Sequence, residues 1–273
     1  MLMSGADKNK VELRPPSFKG MLRFWWRALH GNLSLEELRK NEGIIFGASD
    51  ENIGKSPFSI RIHKPNIWDG NQEVLFTHSE SKKFKYPALK EDQSFEINFS
   101  SRNKEIEEKV KNLFEISSIL GGFGKRSRRG YGSIEILRII ELQDIKDTNS
   151  AKNIQFSIPT EPNKILDKIL ELINSINAGM YIKNTDKGAM KIIKKFPSPI
   201  LSQLNKYPFI EEIEIGEGHS QAKEILKTIG KASHDHDCEY TGFAKGNIRF
   251  ASPIYVSIIK ACLLYTSPSP RDS

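Results

Sequence analysis

Residues 13–29 read LRPPSFKGMLRFWWRAL, and this stretch predicts an amphipathic helix near the start of the chain. Pro15 and Pro16 cannot continue a helix backwards, and Ser17 is a good N-cap residue, so we place the helix at residues 17–30. Apolar side chains recur at helical spacing and form a face that we expect to be buried: Phe18, Met21, Leu22, Trp25 and Leu29.

A basic stripe runs beside that apolar face. It consists of Lys19, Arg23, Arg27 and His30, which follow one another at helical spacing. Lys19 lies in the first turn, where the N–H groups of a helix attract anions. Trp26 borders the stripe, and we consider it a candidate for stacking on a nucleic-acid base. The segment therefore predicts an anion-binding helix face.

The positive charge of the chain is concentrated in two short segments. The 273 residues include 41 Lys+Arg and 34 Asp+Glu, a net charge of +7. Residues 13–31 hold four Lys or Arg residues and no acid, and residues 121–132 hold another four and no acid. The rest of the chain has 33 basic and 34 acidic residues, so the two segments account for the whole excess. This distribution indicates a localised surface for a polyanion.

Composition and ends argue against several other classes of protein. The apolar runs are far shorter than the ~20 residues that a membrane span needs, and no secretory leader is recognisable. Two cysteines are too few for a disulfide framework. We therefore expect a cytoplasmic protein that does not contact a membrane.

The second basic segment, residues 121–132, reads GGFGKRSRRGYG. Glycines allow close backbone approach to a ligand and expose N–H groups, and arginine side chains match phosphate geometry. The loop is not a Walker A motif, because Arg126 follows Lys125 where Ser or Thr is required. Residues 129–136 partly match an RNA-recognition signature, but Ser133 and Ile136 replace the stacking aromatics. The loop predicts binding to a phosphodiester backbone.

The order of the predicted elements indicates an α+β chain. Strands are predicted at 58–63, 73–78, 94–99 and 133–142, and helices at 35–41 and 103–120, the latter capped by Asn103. After a polar linker at 143–153, strands at 154–158, 210–215 and 248–256 and helices at 163–177 and 221–229 follow. This order suggests ferredoxin-like (RRM-like) units, and we divide the chain into a first domain at residues 1–150 and a second at residues 151–261.

Two further motifs have functional and structural interpretations. Residues 234–238, His-Asp-His-Asp-Cys, contain zinc-ligand types but lack a second ligand pair, so a polar loop is the better interpretation and we predict no metal or cofactor. His30 lies on the basic stripe, where it is a candidate general base for RNA cleavage, although a lone histidine is more often incidental.

Residues 13–29, the Ile45-Phe46-Gly47 that follows, the loop 121–132 and residues 249–254 together resemble a known family. They are similar to RAMP-superfamily CRISPR proteins, in particular the first RAMP subunit of the type III-B (Cmr) effector complex. The resemblance implies two ferredoxin-like domains in a non-catalytic antiviral-defence subunit that contacts guide (CRISPR) RNA, target RNA and other Cmr subunits. By this match and the charge pattern, the candidate RNA-binding residues are Arg14, Lys19, Arg23, Trp26, Arg27, Lys125, Arg126, Arg128, Arg129 and Tyr131.

The chain departs from that family at both ends. The family has a β-strand before the turn at residues 4–7, whereas only three residues precede that turn here, so we expect the first domain to lack its first strand. Residues 262–273 resemble a translated sequencing adaptor and are set aside from the fold prediction. Two alternative functions stay open: a metal-independent RAMP endoribonuclease that processes CRISPR RNA with His30 as base, and a structural assembly subunit that binds an acidic protein neighbour.

Overall fold

Five helices and thirteen strands are present in the described part of the computed structural model. The structure describes residues 7, 10–49, 52–63, 71–73, 85–91, 93–142, 152–186, 189–196, 208–216, 218, 221–235, 242–245, 248–259 and 263–268.

Helix α1 (Pro15–Leu29) begins two residues earlier than the sequence predicts. The N-cap is Arg14 in an extended conformation, and Pro15 is the first helical residue. Proline fits this position because its missing N–H would have no partner in the first turn, and it holds the preceding residue in an extended conformation. The assignment of Ser17 as N-cap is therefore wrong, whereas the predicted burial of the apolar face is confirmed, with Trp25 1% exposed.

Helix α2 (Leu35–Phe46) extends five residues beyond its predicted end at residue 41. A capping box holds its start, since the Ser34 hydroxyl accepts from the Glu37 N–H and the Glu37 carboxylate accepts from the Ser34 N–H. Gly47 ends the helix with a positive φ of 82°. The added turn contains residues that matter for the site described below.

Helix α3 (Lys104–Leu120) has the predicted N-cap. The Asn103 side-chain oxygen accepts from the backbone N–H groups of Glu105 and Ile106. Helix α4 (Pro162–Ile176) also lies where the sequence predicts it, and α5 (Ala222–Asp235) continues six residues beyond its predicted end at residue 229. Helices α1, α3 and α4 contribute to one large apolar core.

The strands form small antiparallel sheets and one larger sheet. Four two-stranded sheets pair β1 (Phe58–His63) with β4 (Glu96–Ser101), β2 (Asn71–Glu73) with β3 (Lys85–Pro87), β5 (Ile139–Glu141) with β6 (Lys152–Ile154), and β10 (Phe243–Lys245) with β11 (Ile248–Phe250). The five-stranded sheet has the order β12–β13–β9–β8–β7, built from β7 (Tyr181–Asp186), β8 (Ala189–Lys194), β9 (Ile210–Ile215), β12 (Tyr255–Ile258) and β13 (Leu263–Pro268).

The predicted α+β class is confirmed. In the first half, α1, the antiparallel pair β1–β4 and α3 follow in the helix–strand–strand–helix order of a ferredoxin-like unit. Three predicted strands are shorter than expected: residues 133–142 contain only β5, residues 154–158 contain only the last residue of β6, and residues 248–256 contain β11 and the start of β12. Most of the strand predicted at 73–78 lies outside the described residues.

Strand β13 lies in the segment that the sequence analysis sets aside. It pairs antiparallel with β12 on one side and β9 on the other, with a shift of register at its last residues, Ser267 and Pro268. Proline has no N–H for a ladder hydrogen bond, which accounts for the irregularity at the strand's end. Excluding residues 263–268 from the fold was therefore wrong, and their proposed adaptor origin stays a prediction.

Candidate nucleic-acid interface

Helix α1 presents its basic stripe at the border between core and solvent. Arg23 and Arg27 are half-exposed, at 42% and 40% of their side-chain surface. Lys19 is partly buried and lies in the first turns of the helix. These three cations lie in a row because they are four residues apart on one helix.

Glu42 of α2 joins two of these cations. Its side chain is only 7% exposed, and its Oε1 accepts a short bond from Arg23 Nε at 2.6 Å. The same oxygen lies 3.6 Å from Arg27 Nη1. The basic stripe has no acidic residue in its own segment, but the fold places the Glu42 carboxylate against it.

Aromatic rings lie under the same stripe. Lys19 Nζ is 5.0 Å from the centre of the Phe58 ring, and the Arg23 guanidinium is 5.9 Å from the centre of the Phe46 ring. The two buried rings contact each other edge to face at 5.7 Å. Burial, followed by the nearby charge of Arg23, lowers the pKa of Lys19. Cation–π contacts of this kind restrict where the charged groups point.

The loop 121–132 is docked on strand β12 through its backbone. Gly130 N–H donates to the Val256 carbonyl at 2.9 Å, and Val256 N–H donates to the Arg128 carbonyl at 3.1 Å. The Ser257 hydroxyl adds a buried bond to the Gly121 carbonyl at 2.9 Å. Several backbone groups of the loop are thus committed to the fold.

Two glycines of this loop are required by chain packing. A Cβ on Gly122 would lie 2.4 Å from the Tyr131 carbonyl oxygen, and one on Gly132 would lie 2.1 Å from the Phe123 carbonyl oxygen. Gly132 also has a φ of 77°, a conformation that glycine adopts without strain. The sequence predicts that such glycines allow a ligand to approach closely. In the structure, Gly122 and Gly132 instead allow two backbone segments of the loop to lie close together.

Arg128 is anchored within the protein. Its Nε donates to the Tyr255 hydroxyl at 2.9 Å and its Nη1 donates to the Ser252 carbonyl at 2.8 Å. The guanidinium also lies 4.9 Å from the centre of the Tyr255 ring. Lys125 and Arg126 are exposed, whereas Arg129 is half-buried beside the bridge to Val256. The loop thus combines one anchored arginine with cations that face solvent.

A short aromatic chain connects the loop with α1. Tyr255, which holds Arg128, stacks on Phe24 with ring centres 5.0 Å apart. Phe24 is three residues before Arg27 and four after Gly20, so these positions are neighbours on the helix surface. Gly20 is exposed, and a Cβ there would meet nothing within 4 Å. The ring that holds Arg128 therefore contacts α1 at Phe24, a helix-surface neighbour of both Gly20 and Arg27.

The other predicted site residues occupy different environments. Arg14 is the N-cap residue of α1, and its Nε lies 3.8 Å from Glu12 Oε1 in a half-exposed pair. Trp26 and Tyr131 are buried, at 4% and 6% exposure. A ring this deeply buried offers no face for base stacking in this conformation, so the surface in this structure consists of its cations.

His30, the candidate general base, is buried at the end of α1. It is 8% exposed, its Nδ1 lies 2.6 Å from the Trp26 carbonyl oxygen, and its ring stacks on that of Trp26. Burial is the largest influence and lowers its pKa, the Trp26 carbonyl opposes this, and Lys109 adds to the lowering. A general base must reach the proton it abstracts, and the Trp26 carbonyl already engages Nδ1.

The predicted absence of a metal site stays a prediction. Within the described residues, no group of three His, Cys, Asp or Glu side chains is arranged to hold a metal ion. Of the segment 234–238, residues 236–238 lie outside the described part of the chain. No helix among the described residues is long and apolar enough to cross a membrane.

Sequence reasoning missed Glu42, Phe46 and Tyr255. Ending α2 at residue 41 removed Glu42 and Phe46 from the helix, although Leu38, Glu42 and Ile45 share one helical face. A single acid on an otherwise apolar face is the signal that points to a cationic partner. Tyr255 is 127 positions away from Arg128, and no local pattern connects them.

Comparisons with known proteins find one similar family and several similar proteins. The family model of the RAMP superfamily matches residues 1–135. The chain is homologous to two proteins of Pyrococcus furiosus, the CRISPR system Cmr subunits Cmr1-2 and Cmr1-1. It is 26% identical to Cmr1-2 over 175 residues, covering 52% of this chain and 92% of that protein. It is 26% identical to Cmr1-1 over 208 residues, covering 68% of this chain and 56% of that protein, so it spans little more than half of the longer relative.

Solved structures share the fold. The crystal structure of Cmr1 from Pyrococcus furiosus matches with a TM-score of 0.54 at 15% identity, covering 96% of this chain and 82% of that one. A cryo-EM structure of the type III-B Cmr-beta complex bound to cognate target RNA and AMPPnP has a chain that matches with a TM-score of 0.57 at 13% identity. That match covers 97% of this chain and 91% of the other. The predicted RAMP-type, ferredoxin-like fold is confirmed.

Proposed function

We propose that this chain is an RNA-binding subunit of a type III-B CRISPR (Cmr) effector complex in the cytoplasm. It holds the backbone of guide or target RNA beside its partner subunits and does not cleave the RNA. The observation that carries the proposal is the row of cations on α1, Lys19, Arg23 and Arg27, together with the loop cation Arg128, whose partner Tyr255 stacks on Phe24 of the same helix.

The chemistry of this surface suits binding to the phosphate backbone of RNA. Guanidinium groups match phosphate oxygens, and cations fixed by neighbours lose little entropy when they bind. The candidate aromatic rings are buried, so the surface carries no exposed ring from that set to select a base. Sequence recognition then falls to pairing between guide and target, while the protein contacts phosphates.

The relatives support the assembly part of the proposal. Two homologues are named as Cmr subunits, and a chain of the same fold belongs to a Cmr complex bound to target RNA. The division into domains at residues 1–150 and 151–261 belongs to the same proposal. The buried position of His30 offers no support for the endoribonuclease alternative.

The test is binding of a labelled, unstructured single-stranded RNA by a variant with Arg23, Arg27, Arg126 and Arg129 changed to Ala. Affinity should fall, and the slope of log affinity against log salt should flatten by about 0.7 per lost phosphate contact. A matched variant removes four exposed lysines elsewhere, namely Lys104, Lys152, Lys164 and Lys223.

The two variants carry the same change in net charge, so only location separates them. Equal loss in both would show that binding follows net charge rather than this surface. RNA binding unchanged in the first variant, together with capture of purified Cmr subunits that persists after ribonuclease treatment, would favour the assembly-subunit alternative.

A further inference from the structure

Glu42 is a buried carboxylate on an apolar helix face. The neighbouring positions Leu38, Ile45 and Phe46 of α2 are buried in the core. A carboxylate in such a place loses hydration, which is costly unless charged donors replace the water. Arg23 donates a hydrogen bond to Oε1 of this carboxylate, and the positive charge of Arg27 lies 3.6 Å from the same oxygen.

The atoms used in these contacts decide what the arginines can do next. Arg23 donates a hydrogen bond to Glu42 through Nε, and Arg27 forms an ion pair with the same carboxylate through Nη1 at 3.6 Å. A guanidinium carries five N–H groups in a rigid fork, so one bond to a buried acceptor fixes the plane and orients the rest. Both side chains are at least 40% exposed, so the outer edges of the forks reach solvent.

We propose that Glu42 is a positioning residue that holds Arg23 and Arg27 as a clamp for one phosphate of the RNA backbone. Residues four apart on a helix have Cβ atoms about 5–6 Å apart, a separation at which two guanidinium groups can each donate to one phosphate. The Phe46 ring under Arg23 and the capping box of α2 stabilise the arrangement from below. This inference rests on the proposed function and deepens it.

The positioning role and the change in net charge predict opposite effects of Glu42→Gln on the affinity for RNA. Glu42→Gln removes a negative charge beside the RNA surface, which by charge alone strengthens binding of a polyanion. If Glu42 positions the arginines, the same change weakens binding because the forks lose their fixed orientation. The sign of the effect therefore separates the two accounts.

The experiment measures the Kd of the full chain for a labelled single-stranded RNA as a function of salt. We expect Glu42→Gln to weaken binding about fivefold, in line with the net contribution of one ordinary hydrogen bond. The control is Glu36→Gln, an exposed acid on the same helix, which should leave affinity the same or tighten it by less than about twofold.

The same substitution in a variant without the two arginines distinguishes loss of positioning from misfolding. In a chain that already carries Arg23→Ala and Arg27→Ala, Glu42→Gln should no longer weaken binding, because the side chains it positions are absent. Weakening that is equal in both backgrounds would indicate general damage to the fold and would overturn the positioning role. Unchanged or tighter binding by Glu42→Gln in the wild-type background would also overturn it.

The outcome for the arginine pair separates this inference from the proposed function. If Arg23→Ala and Arg27→Ala together leave RNA binding unchanged, both proposals fail. If that pair weakens binding while Glu42→Gln does not, the RNA surface stands and only the positioning role fails.

Discussion

Replacing Arg128 with Ala should destabilise the protein more than replacing Arg126, an exposed cation of the same loop. The side chain makes two hydrogen bonds, to the Tyr255 hydroxyl at 2.9 Å and to the Ser252 carbonyl at 2.8 Å. It also lies over the Tyr255 ring at 4.9 Å. All three contacts join the loop to strand β12 and the residues just before it.

The magnitude follows from these contacts. A hydrogen bond to a charged group contributes about 1.5–3 kcal/mol, and the low end applies because Arg128 is only partly buried. A cation–π contact adds about 0.5–1 kcal/mol. Since these contributions are not additive, we expect Arg128→Ala to lower the free energy of unfolding by about 2–4 kcal/mol.

Equilibrium urea unfolding followed by circular dichroism measures this change. The matched control is Arg126→Ala, because Arg126 is exposed in the same loop. Arg126 has a φ of 61°, and alanine carries the same Cβ as arginine, so the control changes charge without changing backbone strain. We expect its effect to stay within about 0.5 kcal/mol. If the two variants are equally stable, the anchoring role of Arg128 is refuted.

Three substitutions test the packing and the electrostatics of the fold. Gly121→Ala should lower the free energy of unfolding by about 1–3 kcal/mol, since its Cβ would lie 2.6 Å from Trp25 Nε1. Gly20→Ala should raise it by up to about 1 kcal/mol, because a Cβ there meets nothing within 4 Å. Urea unfolding of both variants measures these changes, and similar effects of the two substitutions would contradict the packing described. Burial is the largest influence on the pKa of Glu115 and raises it, while Lys111 and Lys168 oppose the rise. The folded state therefore binds the proton more tightly than the unfolded chain, so this contribution to stability is lost as pH rises through the pKa of the folded state. Glu115→Gln should then be more stable than the wild type at pH 7 and lose that advantage below about pH 4.3; thermal melts across this range check it, and an advantage independent of pH would count against it.

Local signals in the sequence predicted much of the architecture. The apolar spacing of α1 and the cap at Asn103 determine structure through neighbours within a few residues, and both were confirmed. The predicted end of α2 at residue 41 was wrong, since the helix continues through Gly43, which is buried beside Ile53. A helix packed in a core tolerates glycine that an isolated helix would not.

The candidate site was less predictable because its decisive partners are distant. The charge pattern located the basic segments, but it could not show that Glu42 lies against Arg23 or that Tyr255 holds Arg128. The glycines of the loop have the same composition whether they serve a phosphate or a close-packed backbone. Only the position of Phe123 against Gly132 distinguishes these roles.

The dependence of the loop on β12 has a consequence for synthesis of the protein. Arg128 and its neighbours emerge from the ribosome more than a hundred residues before Ser252, Tyr255 and Val256, which supply their acceptors and donors. Closing so long a stretch of chain is entropically costly and comes late in folding. While the chain is still being made, the helix stripe forms early from local contacts, but the arginine loop stays unanchored. The full set of cations in the proposed RNA-binding surface is thus in place only after β12 has formed, and a nascent chain carries only the helix part of it.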